Sequence, residues 1–266
     1  MKTIKLNTGI EMPMIGFGTW NVQGRSGEQT LLTAIEVGYR LIDSAKMYGN
    51  EEIVGSAIKR SGIARGEFFI TTKLDSEYAD YARAARGIDE SLRRMQTEYI
   101  DLMLIHEPYR NSPEMYRAML EAMRDGKLRA VGVSNFKRGF YGQFIRNCEV
   151  IPAVNQFEAH LFYCPLDLKR LMDQNGTVFQ AWSPLTEGRR DIVNNPMLRA
   201  IGKKHDKTAA QVALRYLIQQ GIAIAPKSAR RERMIENMSI EDFTLDDDDL
   251  SMIGKLDEGS SLFGWY

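Results

Sequence analysis

The stretch FFITTKLDSEYADYARAARGIDESLRRMQTEYIDLMLIH, residues 68–106, opens on one short apolar run, FFITTK (68–73), and closes on another, IDLMLIH (100–106). Between them Ile88, Leu92 and Met95 recur at the i, i+4, i+7 spacing of one helix face. Two apolar strands joined by an amphipathic helix read as a βαβ unit of a parallel sheet. Working outward, the same kind of run recurs as MIGFG (14–18), RLID (40–43), RAVGVSN (129–135), AVNQ (153–156), TVFQAWS (177–183) and IAIAPK (222–227), which brings the total to eight. Eight strands alternating with helices over about 250 residues predict an α/β protein of the (β/α)8 TIM-barrel type. An open doubly wound sheet is the alternative.

Local signals between the runs agree with helices. Ser112 before Pro113 predicts an N-cap with proline in the first turn, Thr208 with Gln211 predicts a capping box, and Gly126 and Gly221 sit where helices should stop. The acidic run TLDDDD, Thr244 to Asp249, reads as a threonine N-cap followed by first-turn carboxylates facing the helix dipole, not as a cation site. At the start of the chain, TIKLNTGIEMP shows two extended segments around Asn7-Thr8-Gly9 and predicts a β-hairpin capping the bottom of the barrel. With 266 residues and 44% hydrophobic content, one barrel domain spanning 1–266 is expected, with a C-terminal tail from about 258 to 266.

Composition narrows the partners. Lys+Arg and Asp+Glu are both 35, so no net field draws nucleic acid or an anionic membrane, and a small-molecule partner is expected. No apolar run approaches the roughly 20 residues of a membrane span, and no basic and apolar leader opens the chain, so a cytoplasmic location with reduced thiols is expected. A monomer or weak dimer is the expected state. Cys148 and Cys164 form no CxxC, and His106, His160 and His205 form no HxxxH, so no metal site is expected. Neither GxGxxG nor GxxxxGKS occurs, and any nucleotide must be held by another device.

The strand runs share one further property: their C-terminal sides are polar. They carry Asp43, Lys73, His106, Ser134 with Asn135, Gln156, Trp182 with Ser183, and Lys227. In a barrel these ends converge on the face where active sites lie. Any one of them has an ordinary structural explanation, an ion pair or a satisfied core histidine. Gathering a carboxylate, an ammonium and an imidazole at one rim is different, because burying charge costs several kcal/mol unless it is paired. Asp43 and Lys73 should lie on adjacent strands and neutralise one another. Tyr48, five residues past Asp43, falls on the following loop. An adjacent ammonium would lower the phenol's pKa from ~10 toward neutrality and make it a proton donor. Carbonyl reduction needs such a donor, since hydride arriving at carbon leaves an alkoxide. His106 would orient the carbonyl, and Trp20 would line the substrate pocket with Tyr48 and His106.

With these residues in view the chain closely resembles the aldo-keto reductases. DSAKMYGNE, ITTKL, LIHEP, GVSNF, VNQFE, AWSPL and APKS stand in that family's order over nearly the whole chain. The resemblance implies a barrel of NADPH-dependent carbonyl reductases with the catalytic tetrad Asp43, Tyr48, Lys73 and His106. It implies carboxamide contacts from Ser134, Asn135 and Gln156, a ring at Trp182 stacking on nicotinamide, and further cofactor contacts at Ser183 and Leu185. KSARRERMIEN resembles the family's clamp for the adenosine 2′-phosphate and adenine, with Lys227, Ser228 and Arg233 on phosphate and Glu236 and Asn237 toward adenine. NADPH is the implied cofactor, with NADH a weaker alternative.

The chain also departs from the family. Glu107 follows His106 where an aromatic or apolar residue is usual, and strand alternation predicts that it points away from His106. FEAHLFYC lacks a frequent His-Pro, the connection from Glu107 to Ser112 is short, and the tail GSSLFGWY is short, as in bacterial members. The reading is reduction of aldehydes or ketones of modest size. Its rivals are a cofactor-binding regulatory protein on the same fold and a lyase using Lys73 as a Schiff-base nucleophile.

Overall fold

A computed structural model describes residues 2–264. The chain enters through an antiparallel hairpin of β1 (Thr3–Lys5) and β2 (Glu11–Pro13), turned by Gly9 at φ 87°. Then, among the described residues, eight parallel strands follow in spatial order: β3 (Gly16–Gly18), β4 (Leu41–Asp43), β5 (Phe69–Leu74), β6 (Ile100–Ile105), β7 (Leu128–Ser134), β8 (Val154–Glu158), β9 (Val178–Trp182) and β10 (Ala223–Ile224). The helices are α1 (Gly24–Val37), α2 (Glu51–Arg60), α3 (Tyr81–Arg94), α4 (Ser112–Arg124), α5 (Arg138–Ile145), α6 (Leu166–Gln174), α7 (Pro196–Lys204), α8 (Ala209–Gln219), α9 (Arg231–Met238) and α10 (Asp247–Gly254).

The last strand returns to the first. Ile15 bridges Ile224 in parallel, the Ile224 N–H donates to Met14 O at 2.8 Å, and the Gly18 N–H donates to Pro226 O at 3.2 Å. This seam makes the sheet a nearly closed (β/α)8 barrel and removes the open doubly wound alternative. Strand β10 is only two residues long, shorter than the 222–227 predicted, because Pro226 has no N–H to continue the ladder.

Alternation along the strands sorts every side chain. Leu41, Phe69, Leu102, Leu104, Ala130, Val154, Val178 and Ala223 form a cluster inside the barrel, and Leu6 and Met12 of the hairpin close it from below. The intervening Ile42, Ile70, Met103, Val131 and Phe179 pack outward in a second cluster with Leu31, Ile88, Met119 and Leu217 of the helices. With a period of two, Asp43 lies on the face of Leu41, Lys73 on that of Phe69, Gln156 on that of Val154, and Trp182 on that of Val178. The hydrophobic register of each strand therefore aims the polar residue at its upper end into the barrel mouth.

Two helix starts differ from expectation. The N-cap of α4 is Asn111, and Ser112 is already helical and buried. The N-cap of α10 is Asp246, in a capping box with Asp249, while Thr244 instead accepts a hydrogen bond from Arg215. A carboxylate caps better than the hydroxyl two residues earlier because it can meet both the dipole and the orphan N–H groups. The Thr208–Gln211 capping box and the left-handed stops at Gly126 and Gly221 are as read. Among the described residues no helix is long and apolar enough to cross a membrane.

Gly132 sits on the inner face of β7, where a Cβ would lie 2.4 Å from the carbonyl oxygen of Val154 and 2.7 Å from a methyl of Leu104. Backbone cannot yield as a side chain can. Gly132→Ala should destabilise the fold by about 1–3 kcal/mol, read as a lower urea midpoint with an unchanged slope.

Candidate active site

At the mouth of the barrel, Lys73 on β5 is fully buried beside the carboxylate of Asp43 on the neighbouring β4. Its ammonium donates to Asp43 Oδ1 and to the Ser44 carbonyl at 2.8 Å. The other oxygen, Asp43 Oδ2, accepts from Gln156 Nε2, which also donates to Gln180 Oε1 at 3.0 Å. Burial works to lower the Lys73 pKa, but the facing Asp43 carboxylate works against it, and the ammonium is held above its ordinary range.

Tyr48 stands on a single helical turn, Lys46–Tyr48, that Gly49 ends at φ 64°. The turn is pinned from beneath. Asn50, fully buried, donates to the carbonyls of Thr19 at 2.8 Å and Val22 at 3.1 Å and accepts from Ser44 Oγ at 2.7 Å, and Gln23 Nε2 donates to Tyr48 O. Lys73 Nζ lies 5.1 Å from the centre of the Tyr48 ring, His106 packs against that ring edge-on at 5.8 Å, and Trp20 does so at 4.9 Å from the outer side. The expectation of a phenol tuned down toward neutrality is corrected here. Burial raises the Tyr48 pKa and outweighs the lowering by Lys73, so the phenol keeps its proton at neutral pH.

His106 follows the last residue of β6. Burial, and then the Lys73 charge, push its pKa down to about 3, so the imidazole is neutral. Nδ1 is buried without a hydrogen-bond partner among the described residues. A bare lone pair there is cheaper than an unsatisfied N–H, which assigns the proton to Nε2.

Asp43, Tyr48 and His106 floor a cleft of about 690 Å³, a usual size for a small-molecule site, with Lys73 buried beneath it. One wall is a hydrogen-bonded chain in which Trp182 Nε1 donates to Asn135 Oδ1 at 2.8 Å and Asn135 Nδ2 donates to Glu107 Oε1 at 2.7 Å. Ser134, Gln156, Ser183, Leu185 and Lys227 also line the cleft. Ser228, Arg233, Glu236 and Asn237 do not; they lie beyond it, on the segment leading into α9 and on α9 itself. There Arg233 is exposed, Ser228 Oγ accepts from Arg230 N at 3.1 Å, Glu236 accepts from Thr208 Oγ1 at 2.5 Å, and Asn237 is buried.

The predicted orientation of Glu107 is wrong. It lines the same cleft as His106, because β6 ends at Ile105 and the chain bends immediately afterward, so the strand's period of two no longer applies. Burial raises the Glu107 carboxyl to about 7 against the lowering by its bond from Asn135.

Sequence reading also missed Asn50 and Glu158. The latter ends β8 and receives Leu262 N at 2.8 Å and Ser261 Oγ at 2.5 Å, which lays Phe263 edge-on against Trp182 at 5.0 Å. A buried polar residue within an apolar strand was the available signal, but its partner lies over 100 positions away. Of the tail expected at 258–266, Trp265 and Tyr266 lie outside the described residues.

Comparison with known proteins gives this geometry its context. The profile of the Aldo/keto reductase family matches residues 14–258. The chain belongs to that family. It is similar to the glyoxal reductase of Bacillus subtilis, 40% identical over 96% of this chain and 93% of the relative. It is likewise similar to the methylglyoxal reductase DkgA of Escherichia coli K12, at 36% over 97% and 94% of the two chains. Among solved structures it superimposes on MGS-M4, an aldo-keto reductase from a deep-sea metagenome, with a TM-score of 0.95, 38% identity and 98% and 97% coverage. The silkworm aldo-keto reductase AKR2E5, solved with NADPH, gives a TM-score of 0.92 at 33% identity, covering 98% of this chain and 89% of that one. As an aldo-keto reductase the protein is an oxidoreductase that acts on carbonyl groups with NADPH.

The raised Glu107 pKa sets a sign that can be checked. The folded protein binds that proton more tightly than the unfolded chain, so this contribution to stability is fully present below about pH 4.5 and is lost as pH rises through about 7. The unfolding free energy of the wild type minus that of Glu107→Gln, from denaturant titrations at each pH, should fall across that window. A flat difference would mean an ordinary, solvated carboxylate.

Proposed function

We propose that this aldo-keto reductase reduces small aldehydes, short dicarbonyl compounds among them, with Tyr48 as the general acid. The observation that carries the reading is the convergence of Tyr48 and His106 on the buried Lys73–Asp43 pair at the floor of one cleft. The relatives named as glyoxal and methylglyoxal reductases support the substrate class.

The cofactor fits the residues present. Lys227, which lines the cleft, and Arg233, beyond it on α9, have no side-chain partner among the described residues, and unpaired cations suit a phosphate. Lys227, Ser228 and Arg233 would hold the 2′-phosphate, Ser134, Asn135 and Gln156 the carboxamide, and Trp182, Ser183 and Leu185 the adjoining ring and chain. Glu236 and Asn237 would face adenine, although Thr208 and burial already engage them. Bound NADPH supplies the hydride.

The protein's part is to hold the carbonyl and deliver a proton. His106, neutral and with its proton on Nε2, donates to the carbonyl oxygen without competing for the proton of Tyr48. That phenol, protonated at neutral pH, is a weak acid until the oxygen before it becomes an alkoxide, a far stronger base. The proton then passes from Tyr48 to oxygen, and the Lys73 ammonium stabilises the phenolate left behind. Asp43 keeps Lys73 charged and in place. Because that charge is held above the ordinary range, Lys73 is a poor Schiff-base nucleophile, which argues against the lyase reading. All four of the similar proteins named above are called reductases, which speaks against a purely regulatory role.

Tyr48→Phe should leave NADPH binding nearly intact and lower kcat for methylglyoxal by roughly 10²–10⁴-fold, followed as NADPH oxidation. Near-wild-type turnover would remove Tyr48 from its role. Arg233→Ala should weaken NADPH by roughly 10- to 100-fold in a fluorescence titration, the loss of a charged hydrogen bond of about 1.5–3 kcal/mol, and leave NADH little changed. Equal weakening of both cofactors would place Arg233 elsewhere.

A further inference from the structure

We propose that Glu107 selects substrates by charge: its unengaged carboxylate oxygen receives a cationic or hydroxyl group carried beyond the carbonyl, and turns away carbonyl compounds that bear a carboxylate. The inference rests on the carbonyl-reductase reading and concerns which carbonyls that site accepts.

The geometry has three parts. First, Glu107 shares the cleft lining with its chain neighbour His106, so a substrate whose oxygen meets His106 occupies a cleft that Glu107 also lines. Second, its two oxygens are inequivalent. Oε1 accepts from Asn135 Nδ2 at 2.7 Å, and Asn135 is itself held by Trp182 Nε1 at 2.8 Å, which fixes the carboxylate on the wall. Oε2 has no hydrogen-bond or ion-pair partner among the described residues and is not sealed from the cleft. A partly desolvated carboxylate with one oxygen fixed and one open is an acceptor waiting for a donor.

Third, the other charges of the cleft do not cancel it. Lys73 is committed to Asp43, and Glu187, which also lines the cleft, is a second carboxylate, accepting from Ser183 Oγ at 2.6 Å. Among the described residues the one lysine or arginine that lines the cleft, Lys227, lies just past β10 and is assigned above to the cofactor's phosphate. A substrate carboxylate would therefore meet like charge with no free cation to answer it, whereas a cation or hydroxyl would complete the acceptor. The burial that raises the Glu107 pKa expresses the same want of a partner.

The test uses three aldehydes of one shape: benzaldehyde, 4-carboxybenzaldehyde and 4-formyl-N,N,N-trimethylanilinium, with NADPH oxidation at pH 8, where Glu107 is ionised. In the wild type the cation-to-carboxylate ratio of kcat/KM should exceed, by about tenfold or more, the ratio of their rates of reduction by borohydride in solution, which corrects for the stronger electron withdrawal by the trimethylammonium group. Glu107→Gln keeps an acceptor for Asn135 and loses the charge, and should reduce that ratio by tenfold or more; Glu107→Asp keeps the charge and should preserve the order. Benzaldehyde turnover with no preference between the charged pair, or a preference unchanged in Glu107→Gln, overturns the proposal and leaves the reductase reading standing. No turnover of any of the three by the wild type overturns both. Should Glu107→Gln fail to fold, the wild-type ratio is set against the ratio of the two aldehydes' rates of reduction by borohydride in solution, and a value no larger than that intrinsic ratio overturns the proposal.

Discussion

A lysine ammonium buried in the middle of a barrel is the constraint around which this active site is arranged. Taking such a charge out of water costs several kcal/mol, and nothing apolar repays it. Asp43 supplies the countercharge, the Ser44 carbonyl a second acceptor, and Gln156 satisfies the carboxylate oxygen that Lys73 leaves over. Three strands thus contribute to one charge pair, and their register is held by the apolar layer directly beneath. A slip of one residue in any of them would exchange Asp43 for Ile42 or Lys73 for Thr72 and leave a charge without its partner. Fold and site are in this sense one problem.

The groups around that pair are polarised by it in different ways. His106 is kept neutral by burial and by the neighbouring ammonium, so it serves as a hydrogen-bond donor and not as an acid. Tyr48 feels the ammonium too, but its burial weighs more, and it holds its proton until a strong base forms in front of it. Glu107, on the wall of the same cleft, has no cation paired with it among the described residues, and burial raises its carboxyl to about 7. Burial is the common cause, and the residue type decides which protonation state it favours. One cleft therefore contains a persistent ammonium, a neutral imidazole, a protonated phenol and a carboxylate near its midpoint.

Much of this was legible in the sequence. The short apolar runs, the helical spacing of Ile88, Leu92 and Met95 between two of them, and their number led to the barrel; the polar residues ending those runs led to Asp43, Lys73, His106, Ser134, Gln156 and Trp182 at its mouth. These are local regularities, and the chain cannot alternate without aiming its strand ends together. Helix starts were less legible, because Asn111 and Asp246 compete with adjacent Ser112 and Thr244 and the choice depends on which backbone N–H groups the tertiary fold leaves unpaired.

Three features followed no local rule. Asn50 clamps the Tyr48 turn by binding Thr19 and Val22, 31 and 28 residues earlier; Glu158 anchors Ser261 and Leu262; and Glu107 enters the cleft because the chain bends after Ile105. The sequence by itself determined which strands exist, which of their faces is apolar and what chemistry stands at their ends, since these depend on the backbone's own periodicity. Only the tertiary structure decided the proton affinities of Tyr48, His106 and Glu107 and the course of the loops that shape the pocket. Those depend on how much water each group loses and on which distant groups replace it, and neither quantity is defined until the barrel closes.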